Sequence, residues 1–393
     1  MQEKELVNST TTKVVPNVVI DARMVGPVLH GVARYVTQLI KGLAELQTEK
    51  PLNYNLIILV QPGFKPNEAA SCFKQFRTEI VDAPFLSVSE LWAIPKVLRE
   101  IKADLYHSPS FSSLLWSPCP WCVTVHDLNH LHYGGTLKKA YYKTILKRFM
   151  RRARALVTVS QFSQEEIASW LSLPKETISI AYNAIEPSLK TPPTQNQIQK
   201  LLAEHGLKVG KFFLCLANVK PHKNTKLILE AYKAYRHQSD QSCAWPLVIS
   251  IDALKGHEYE GVKFMGGMKE QDTIALLNTA GALVSPSLYE GFGLPPVEAA
   301  AIGIRLMVSA ISPHLEGLQD LSPSEVFWVN SSDFHGWVNA FHRINKGEIG
   351  PPSEASRKKI LARFTSYKLG QKMDEIYQRV LDEGNASSFK EKE

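Results

Sequence analysis

The 393 residues of this chain are enough for two domains, each with a hydrophobic core of its own. A hydrophobic fraction of 44% and a charged fraction of 21% are typical of a soluble globular protein, and the lack of an apolar run of about 18 residues disfavours a membrane-spanning helix. The net charge of +7 favours an anionic partner such as a nucleotide sugar, an acidic membrane surface or a nucleic acid.

The N-terminus and the cysteines predict a compartment. Residues Met1–Glu5 are mostly polar and charged, and no apolar segment follows them, which argues against a secretory signal. Five cysteines are an odd number, which favours free thiols in a reducing compartment. We therefore expect a cytoplasmic protein, with peripheral contact to the inner face of the plasma membrane as an extension of that expectation.

Short β-rich runs alternate with helix-like segments along the chain. Seven strands are predicted in the first half, at 18–21, 56–60, 79–82, 105–107, 122–126, 156–159 and 178–182. Six more are predicted in the second half, at 212–217, 247–251, 262–265, 282–285, 306–309 and 326–329. Strands that alternate with helices form parallel sheets in doubly wound domains. The predicted fold class is therefore α/β, with two Rossmann-like domains.

The strand pattern restarts after a polar segment that contains two prolines, 191–196, which we interpret as a linker. The predicted domains cover residues 1–190 and 200–365. Ligands bind at the carboxyl ends of the strands in such folds, so a cleft between the two domains is the predicted site.

Two motifs of the first half, one with a glycine and one with a histidine, follow predicted strands. The first strand leads into a turn with Gly31, followed by Arg34; a glycine allows the backbone to approach a ligand, although packing explains many such turns. The fifth strand ends in His126 and Asp127. His130 and His132 complete a spacing that a metal site could use, but no Cys or carboxylate pattern supports a metal, so we favour a neutral His126 that hydrogen-bonds hydroxyls.

Two shorter patterns have structural interpretations. Cys119 and Cys122 form a CxxC that precedes a strand instead of opening a helix, so we favour packing over a redox or zinc role. Ser163 and Glu166 have the spacing of a capping box for the helix that follows.

A basic segment, Lys138–Arg154, has a helical pattern. Tyr141, Ile145 and Phe149 form an apolar stripe, which Tyr142, Leu146 and Met150 widen in a second interpretation, and lysines and arginines occupy much of the remainder. The segment is interpreted either as a core helix with a solvated basic face or as a surface that docks on an anionic bilayer. Nucleic acid is disfavoured because no recognised nucleic-acid-binding module accompanies it.

A second basic loop follows the first strand of the second half. It contains Lys220 and Lys223 and leads into a helix that begins at Thr225. A strand–loop–helix junction suits a phosphate, because free N–H groups and the helix dipole face the same place. The alternative is a solvated basic turn.

The most informative segment places two carboxylates eight residues apart. Glu290 and Glu298 are separated by Gly291, Gly293 and a pair of prolines, and the prolines suit the first turn of a helix. Carboxylates accept hydrogen bonds from hydroxyls, and a helix start favours an anion, so the pattern suits a sugar nucleotide. The alternative is a helix start with a surface glutamate at each end.

The run Ser285–Pro295 closely resembles the donor-site signature of the retaining GT-B glycosyltransferases of family 4. The resemblance extends from about Val18 to Leu381 and is weakest from Ile304 to Trp337. It implies a GT-B fold whose last helix, about 366–384, crosses back onto the first domain.

The resemblance also implies roles for individual residues. Lys223 would stabilise the leaving diphosphate, Glu290 would orient the donor sugar and steady positive charge at its anomeric carbon, and His126 would face that sugar. Donor binding is implied for Gly31, Asn218, Lys220, Gly291, Phe292, Gly293, Leu294 and Glu298, of which Glu298 would accept hydrogen bonds from ribose hydroxyls. Arg34 and Asp127 are implied on the acceptor side.

Three positions depart from the family pattern. Asn218 stands where an Arg is usual, so a neutral group replaces a bidentate cation. Ala33 replaces a glycine, and Arg305 replaces a proline. With Asn218 in place of the Arg, we expect either that the leaving group is stabilised less or that Lys220 or His222 compensates for the missing cation.

The resemblance therefore implies a retaining transferase. A sugar, with mannose or a related hexose favoured, would pass from a nucleotide diphosphate donor to a glycan or lipid-linked acceptor in surface polysaccharide or lipopolysaccharide synthesis. No cofactor and no metal are expected. The alternatives are an epimerase or phosphorylase of the same fold, a degenerate member that binds sugar nucleotide without turnover, and a membrane scaffold.

Overall fold

The structure is a computed structural model that describes residues 15–26, 31–66, 70–111, 116–186, 189, 193–252 and 259–390. The first domain is built on a parallel sheet of seven strands in the order β3-β2-β1-β4-β5-β6-β7. These strands are β1 Asn17–Asp21, β2 Asn55–Val60, β3 Arg77–Ile80, β4 Leu105–Ser108, β5 Trp121–Thr124, β6 Ala155–Thr158 and β7 Ile178–Ile180.

The second domain is built on a parallel sheet of six strands in the order β10-β9-β8-β11-β12-β13. Its strands are β8 Phe213–Cys215, β9 Leu247–Ile249, β10 Val262–Phe264, β11 Ala282–Ser285, β12 Arg305–Ser309 and β13 Val326–Val329. The predicted fold class, two doubly wound α/β domains, is confirmed, and each of the predicted strands overlaps a strand of the described structure. Several strands are shorter than predicted at their carboxyl ends, where the chain leaves the ladder to form the cleft loops.

Helices cover both faces of the two sheets, which explains why the strands read as continuous apolar runs. In β1, for example, Val18, Val19 and Ile20 have no exposed surface. The helices are α1 Gly31–Glu49, α2 Glu90–Glu100, α3 Asn129–Tyr133, α4 Thr136–Tyr141, α5 Lys147–Met150, α6 Gln161–Leu171, α7 Gln195–Glu204, α8 Thr225–Gln238, α9 Glu270–Thr279, α10 Leu294–Ile302, α11 Ser312–Gly317, α12 Phe334–Asn345, α13 Glu354–Arg363 and α14 Ser366–Lys390.

The predicted linker is shorter than expected. Residues 191–192 lie outside the described ranges, and Thr194 already caps α7: its hydroxyl accepts from the Gln197 N–H, and the Gln197 side chain returns a bond to the Thr194 backbone. This capping box sits in a polar segment, so composition alone suggested a loop.

The basic segment is broken into three pieces instead of one helix. A π-helical turn, Tyr142–Leu146, separates α4 from α5, and Tyr142, Leu146 and Met150 form the buried face. The part of the predicted apolar stripe with Tyr142, Leu146 and Met150 is therefore confirmed, whereas Ile145 is 46% exposed. The wider π turn rotates the following residues, which a constant helical period does not anticipate. In the part of the chain that the structure describes, every helix is too short or too polar to cross a bilayer.

The last helix, α14, packs along α1 of the first domain. Contact is close at Gly42 and Gly370, where a Cβ on Gly42 would lie 1.8 Å from the Ser366 carbonyl oxygen and one on Gly370 would lie 2.3 Å from the Gly42 carbonyl carbon. The Tyr377 hydroxyl contacts His107 Nδ1 at 2.6 Å, and His107 Nε2 contacts the Thr124 hydroxyl at 2.9 Å. The C-terminal end of the described chain therefore completes the core of the first domain.

His107 makes stability depend on pH. Burial, with a smaller contribution from His126, lowers the pKa of His107 from 6.5 to about 3. The unfolded chain therefore binds the proton first, so the neutral histidine stabilises the fold above pH ~6.5 and this stabilisation is lost as the pH falls toward 3, at about 1.4 kcal/mol per pH unit. We expect the Tm to fall more steeply between pH 7 and 5 for the wild type than for His107→Gln, which stays neutral. Parallel Tm curves would contradict the assignment.

Candidate active site

Two loops of the second domain are held together at the carboxyl ends of β8 and β11. The Leu288 N–H donates to the His222 carbonyl at 2.7 Å. The Asn224 amide donates to the carbonyls of Pro286 at 3.2 Å and Ser331 at 2.8 Å. Asn224 has a left-handed backbone, φ 54°, which an asparagine tolerates better than most residues and which turns the chain into α8. The two motifs that the sequence singled out therefore share one wall.

Lys223 and Glu290 meet on that wall. The Lys223 Nζ lies 2.5 Å from Glu290 Oε1, and the Ser287 hydroxyl donates to the same oxygen at 2.6 Å. Both side chains are largely buried. Burial raises the pKa of Glu290, but attraction to Lys223 and the two hydrogen bonds outweigh it, so the pKa is lowered from 4.5. The carboxylate is therefore ionised at neutral pH, and a cation stands beside it.

The helix start next to Glu290 is sharp. Gly293 has φ +85°, a conformation that favours glycine, and α10 begins at Leu294. Pro295 and Pro296 have no N–H to offer, so an anion here would bind to the N–H groups of the turn and of Leu294 instead of the whole first helical turn. Phe292, within the turn, is buried and packs against Phe364, with ring centroids 5.1 Å apart.

Glu298 has a partner that the sequence did not suggest. Arg34 of α1 contacts it, with Nη1 3.3 Å from Oε1, and also reaches Glu270 of α9 with Nη2 at 3.5 Å. Burial raises the pKa of Glu298, and the attraction of Arg34 opposes this without cancelling it. The cavity beside Arg34, Leu294 and Glu298 has a volume of only about 10 Å³. Arg34, placed on the acceptor side by resemblance, thus closes the predicted ribose site.

The first domain contacts the segment that begins at Glu290 through the loop after β5. His126 Nε2 donates to the Pro109 carbonyl at 2.9 Å, and burial lowers its pKa, so the ring is neutral. Asp127 Oδ1 accepts from the Asn129 N–H at 2.9 Å, which holds the loop in place. A Cβ on Gly291 would lie 2.3 Å from the His126 carbonyl oxygen. The backbones of the two domains are therefore in direct contact here.

Polar side chains also form hydrogen bonds between the two domains at this place. The hydroxyls of Ser160 and Ser163 donate to the Gly291 carbonyl at 2.5 and 3.1 Å. The Tyr289 hydroxyl donates to Glu166 at 2.6 Å and accepts from the Leu128 N–H at 2.9 Å. Sequence reasoning missed this role, because it paired Ser163 with Glu166 as a capping box; the residue that caps α6 is Ser160. The signal in the sequence is that Ser160 and Ser163 come directly after a predicted strand, and the carboxyl ends of such strands face the cleft.

A third element also bridges the domains. Glu316 of α11 accepts from the N–H groups of Gln161 at 2.8 Å and Phe162 at 3.4 Å, which begin α6. A carboxylate at a helix N-terminus is stabilised by the helix dipole. The sequence offers no signal for a contact over such a separation.

The remaining predicted residues lie at the margin. Asn218 is exposed, and its Oδ1 accepts from the Lys220 N–H at 3.0 Å, so it shapes the loop. Lys220, His222, Asn129 and Tyr133 line a cavity of about 430 Å³ between the domains. Gly31 is exposed at the first residue of α1, and the loop before it, with His30, lies outside the described residues.

A second, larger cavity was not foreseen. It has a volume of about 750 Å³ and lies beyond the carboxyl ends of β9 and β10, between α7 and α9. Its lining includes Asp252, Gly266, Lys269 and Asp272. Carboxyl ends of parallel strands are the usual ligand positions in doubly wound folds.

The histidines and cysteines that a metal or redox interpretation would use make other contacts or are buried. Within the described ranges, no three His, Cys, Asp or Glu side chains group closely enough to hold a metal ion. His132 instead contacts Glu166 at 2.8 Å, and the His130 ring packs on Tyr142 with centroids 5.5 Å apart. Cys119 and Cys122 are buried free thiols, and burial raises the pKa of Cys119 to about 11.

Comparison with known proteins agrees with the geometry. A family model described as Glycosyltransferase Family 4 matches residues 29–189, and one described as Glycosyl transferases group 1 matches residues 197–354. The crystal structure of Anabaena HepE in complex with UDP and glucose superimposes with a TM-score of 0.67 at 16% identity, covering 93% of this chain and 100% of that one. WaaG, a glycosyltransferase involved in lipopolysaccharide biosynthesis, superimposes with a TM-score of 0.63 at 14% identity, covering 91% and 99%.

Several curated relatives are named as mannosyltransferases. The O-antigen chain mannosyltransferase RfbU of Salmonella typhimurium is 27% identical over 234 residues, which are 57% of this chain and 60% of RfbU. The O-antigen chain mannosyltransferase B of Escherichia coli is 25% identical over 308 residues, 72% of this chain and 80% of that protein. The match to the serotype-specific mannosyltransferase WbdA of Escherichia coli spans 30% of that protein. With one family model on each parallel-sheet domain, this chain belongs to the family 4, group 1 glycosyltransferases of the GT-B fold.

Proposed function

We propose that the protein transfers a sugar from a nucleotide diphosphate sugar to a glycan or lipid-linked acceptor in lipopolysaccharide or other surface polysaccharide synthesis, with retention of the anomeric configuration. The observation that carries the proposal is the buried pair of Lys223 and Glu290, 2.5 Å apart, on a wall that faces the first domain. A mannosyl donor is favoured, since the relatives RfbU and mannosyltransferase B carry that name.

The proposed roles follow from charge and position. Lys223, with the N–H groups of the turn after Glu290, would stabilise the diphosphate as it leaves, and electrostatic stabilisation of this kind usually contributes more to catalysis than any other effect. Glu290, already ionised, would then be free to steady positive charge at the anomeric carbon and to accept a sugar hydroxyl. His126 is neutral and lies across the domain contact, where it would bound the sugar pocket.

The nucleoside is proposed to lie in the 750 Å³ cavity beyond β9 and β10. Lys269 and Asp272 line this cavity, and the intervening Glu270 contacts Arg34, which in turn contacts Glu298. Contacts between side chains therefore lead from the edge of this cavity, through Glu270 and Arg34, to the predicted ribose carboxylate. Because the space at Glu298 is too small for a ribose, donor entry requires Arg34 to withdraw with the first domain.

The test begins with binding. Thermal shift against GDP- and UDP-sugars identifies the donor, and release of free nucleotide diphosphate that requires acceptor demonstrates transfer, in EDTA because we propose no metal requirement. NMR of the product's anomeric carbon reports retention. Binding without acceptor-dependent release would favour a degenerate sugar-nucleotide-binding member, and free sugar phosphate or an epimerised donor would favour the phosphorylase or epimerase alternative.

We also propose that the acceptor is met at an anionic membrane surface. Lys143, Arg148, Arg151 and Arg152 of the segment Lys138–Arg154 are exposed, and Ile145 stands among them. Surface cations near an anionic bilayer contribute about 1 kcal/mol each. Sedimentation with vesicles that contain phosphatidylglycerol, against vesicles of phosphatidylcholine alone, checks this contact; equal recovery would refute it.

A further inference from the structure

His314 is a buried histidine with one ring nitrogen unused. It lies on α11, and only 1% of it is exposed. Its Nδ1 lies 2.9 Å from the Ser309 carbonyl oxygen, and because a carbonyl only accepts, Nδ1 carries the proton. The other nitrogen, Nε2, is buried and has no hydrogen-bond partner among the described residues. An unpartnered buried polar atom destabilises a folded protein, and a bond to a ligand would remove that cost.

The unused nitrogen faces the turn that follows Glu290. A Cβ built on Gly293 would lie 2.6 Å from His314 Cδ2 and 3.1 Å from Nε2. The edge of the ring therefore occupies the place that any side chain at position 293 would need. Gly293 begins α10, so the nitrogen lies beside a helix start as well as beside the sugar-facing motif.

A chain of hydroxyls ties His314 to Glu290. The Ser309 hydroxyl, 3.2 Å from His314 Nδ1, donates to the Ser287 carbonyl at 2.6 Å. The Ser287 hydroxyl in turn donates to Glu290 Oε1 at 2.6 Å. The imidazole and the carboxylate are thus parts of one rigid wall.

The state of the ring decides what it can bind. Burial lowers the pKa of His314 from 6.5, and the attraction of Glu290 only partly opposes this. A neutral ring whose Nδ1 holds the proton offers a lone pair at Nε2. A phosphate oxygen also offers lone pairs and would be repelled, whereas a hydroxyl can donate.

We infer that His314 Nε2 accepts a hydrogen bond from a hydroxyl of the donor's sugar, beside Glu290, and so helps to select the sugar; this rests on the proposed function. Since Nε2 has no exposed area in the closed cleft, the contact forms when the turn Gly291–Gly293 moves aside as the donor enters. The two glycines of that turn permit such a shift.

The test compares two substitutions at one position. His314→Asn keeps an amide near Nδ1 and leaves nothing at Nε2, whereas His314→Gln extends an amide to the Nε2 position. His335→Asn, an exposed histidine on α12, is the matched control. Affinities are measured by calorimetry for whichever of GDP-mannose or UDP-glucose the wild type binds, and for the corresponding GDP or UDP.

We expect the substitution to weaken binding of the nucleotide sugar and to leave binding of the nucleotide diphosphate nearly unchanged. In His314→Asn the Kd for the nucleotide sugar rises about 10-fold, the loss of one hydrogen bond, while the Kd for the nucleotide diphosphate stays within about twofold. His314→Gln recovers part of the loss, and His335→Asn changes neither value. Equal weakening of both ligands, or no weakening, would overturn the inference while leaving the proposed function in place.

Donor analogues give a second readout, in which each protein is compared only with itself. Donors in which one sugar hydroxyl is replaced by fluorine are titrated against the wild type and against His314→Gln. Fluorine at one position of the sugar should raise the Kd of the wild type about 10-fold. The same analogue should raise the Kd of His314→Gln by less, because the hydrogen bond at Nε2 is already altered in that variant. The same penalty at every position in both proteins would overturn the inference, and a wild type that binds no nucleotide sugar would overturn the proposed function together with it.

Discussion

Replacing Lys223 with alanine is expected to lower kcat for sugar transfer by about 10²–10³-fold. Lys223 is the cation placed beside Glu290, at the wall where the diphosphate is proposed to leave, and Asn218 supplies no positive charge in its place. The stabilisation is needed most when negative charge builds up on the leaving group, so the effect should appear in kcat more than in KM. Initial rates of nucleotide release at saturating donor and acceptor measure it.

The control for Lys223 lies three residues further along the chain. Lys226 is exposed on α8, and Lys226→Ala should keep full activity. Loss of Lys223 also leaves the Glu290 carboxylate buried without its cation, so the Tm should fall as well. The double variant Lys223→Ala with Glu290→Gln separates the two effects: it should regain Tm without regaining activity. Wild-type kcat in Lys223→Ala would refute the assigned role.

Gly291→Ala is expected to prevent the two domains from closing. The added Cβ would lie 2.3 Å from the His126 carbonyl oxygen and 3.0 Å from the Asp127 Cβ, and no real Cβ approaches a backbone so closely. Its φ is not positive, so alanine itself meets no conformational penalty and the collision alone decides the result. The domains must separate, which also breaks the bonds of Ser160 and Ser163 to the Gly291 carbonyl.

The expected outcome is a loss of transfer of about 100-fold or more, because small misplacements of reacting groups are this costly. Affinity for the nucleotide diphosphate, held by the second domain, should change much less. Small-angle scattering should report a larger radius of gyration. Gly350→Ala, where an added Cβ meets nothing within 4 Å, is the control. An active, equally compact Gly291→Ala would show that the contact is not needed for transfer.

The fold was predictable because it depends on local pattern. Apolar runs of four to six residues, separated by amphipathic segments, are enough to specify buried parallel strands, and every predicted strand overlaps one in the described structure. The errors concern local deviations from regular structure. The π turn at Tyr142–Leu146 leaves Ile145 exposed although it belongs to the predicted stripe, and the capping box at Thr194 lies in polar sequence that suggested a loop.

The candidate site, too, was predictable in its local motifs and not in its long-range contacts. The sequence was enough to suggest which residues of the second domain could serve a nucleotide sugar, since Lys223 and Glu290 each follow a strand and open a helix within a short motif. The contacts that surround them appear only in the folded molecule: Arg34 contacts Glu298, Glu316 contacts the start of α6, and His314 lies under Gly293. The reason is physical: strand and helix patterns arise from neighbours along the chain, whereas a salt bridge or a collision across the cleft depends on how two separately folded domains pack.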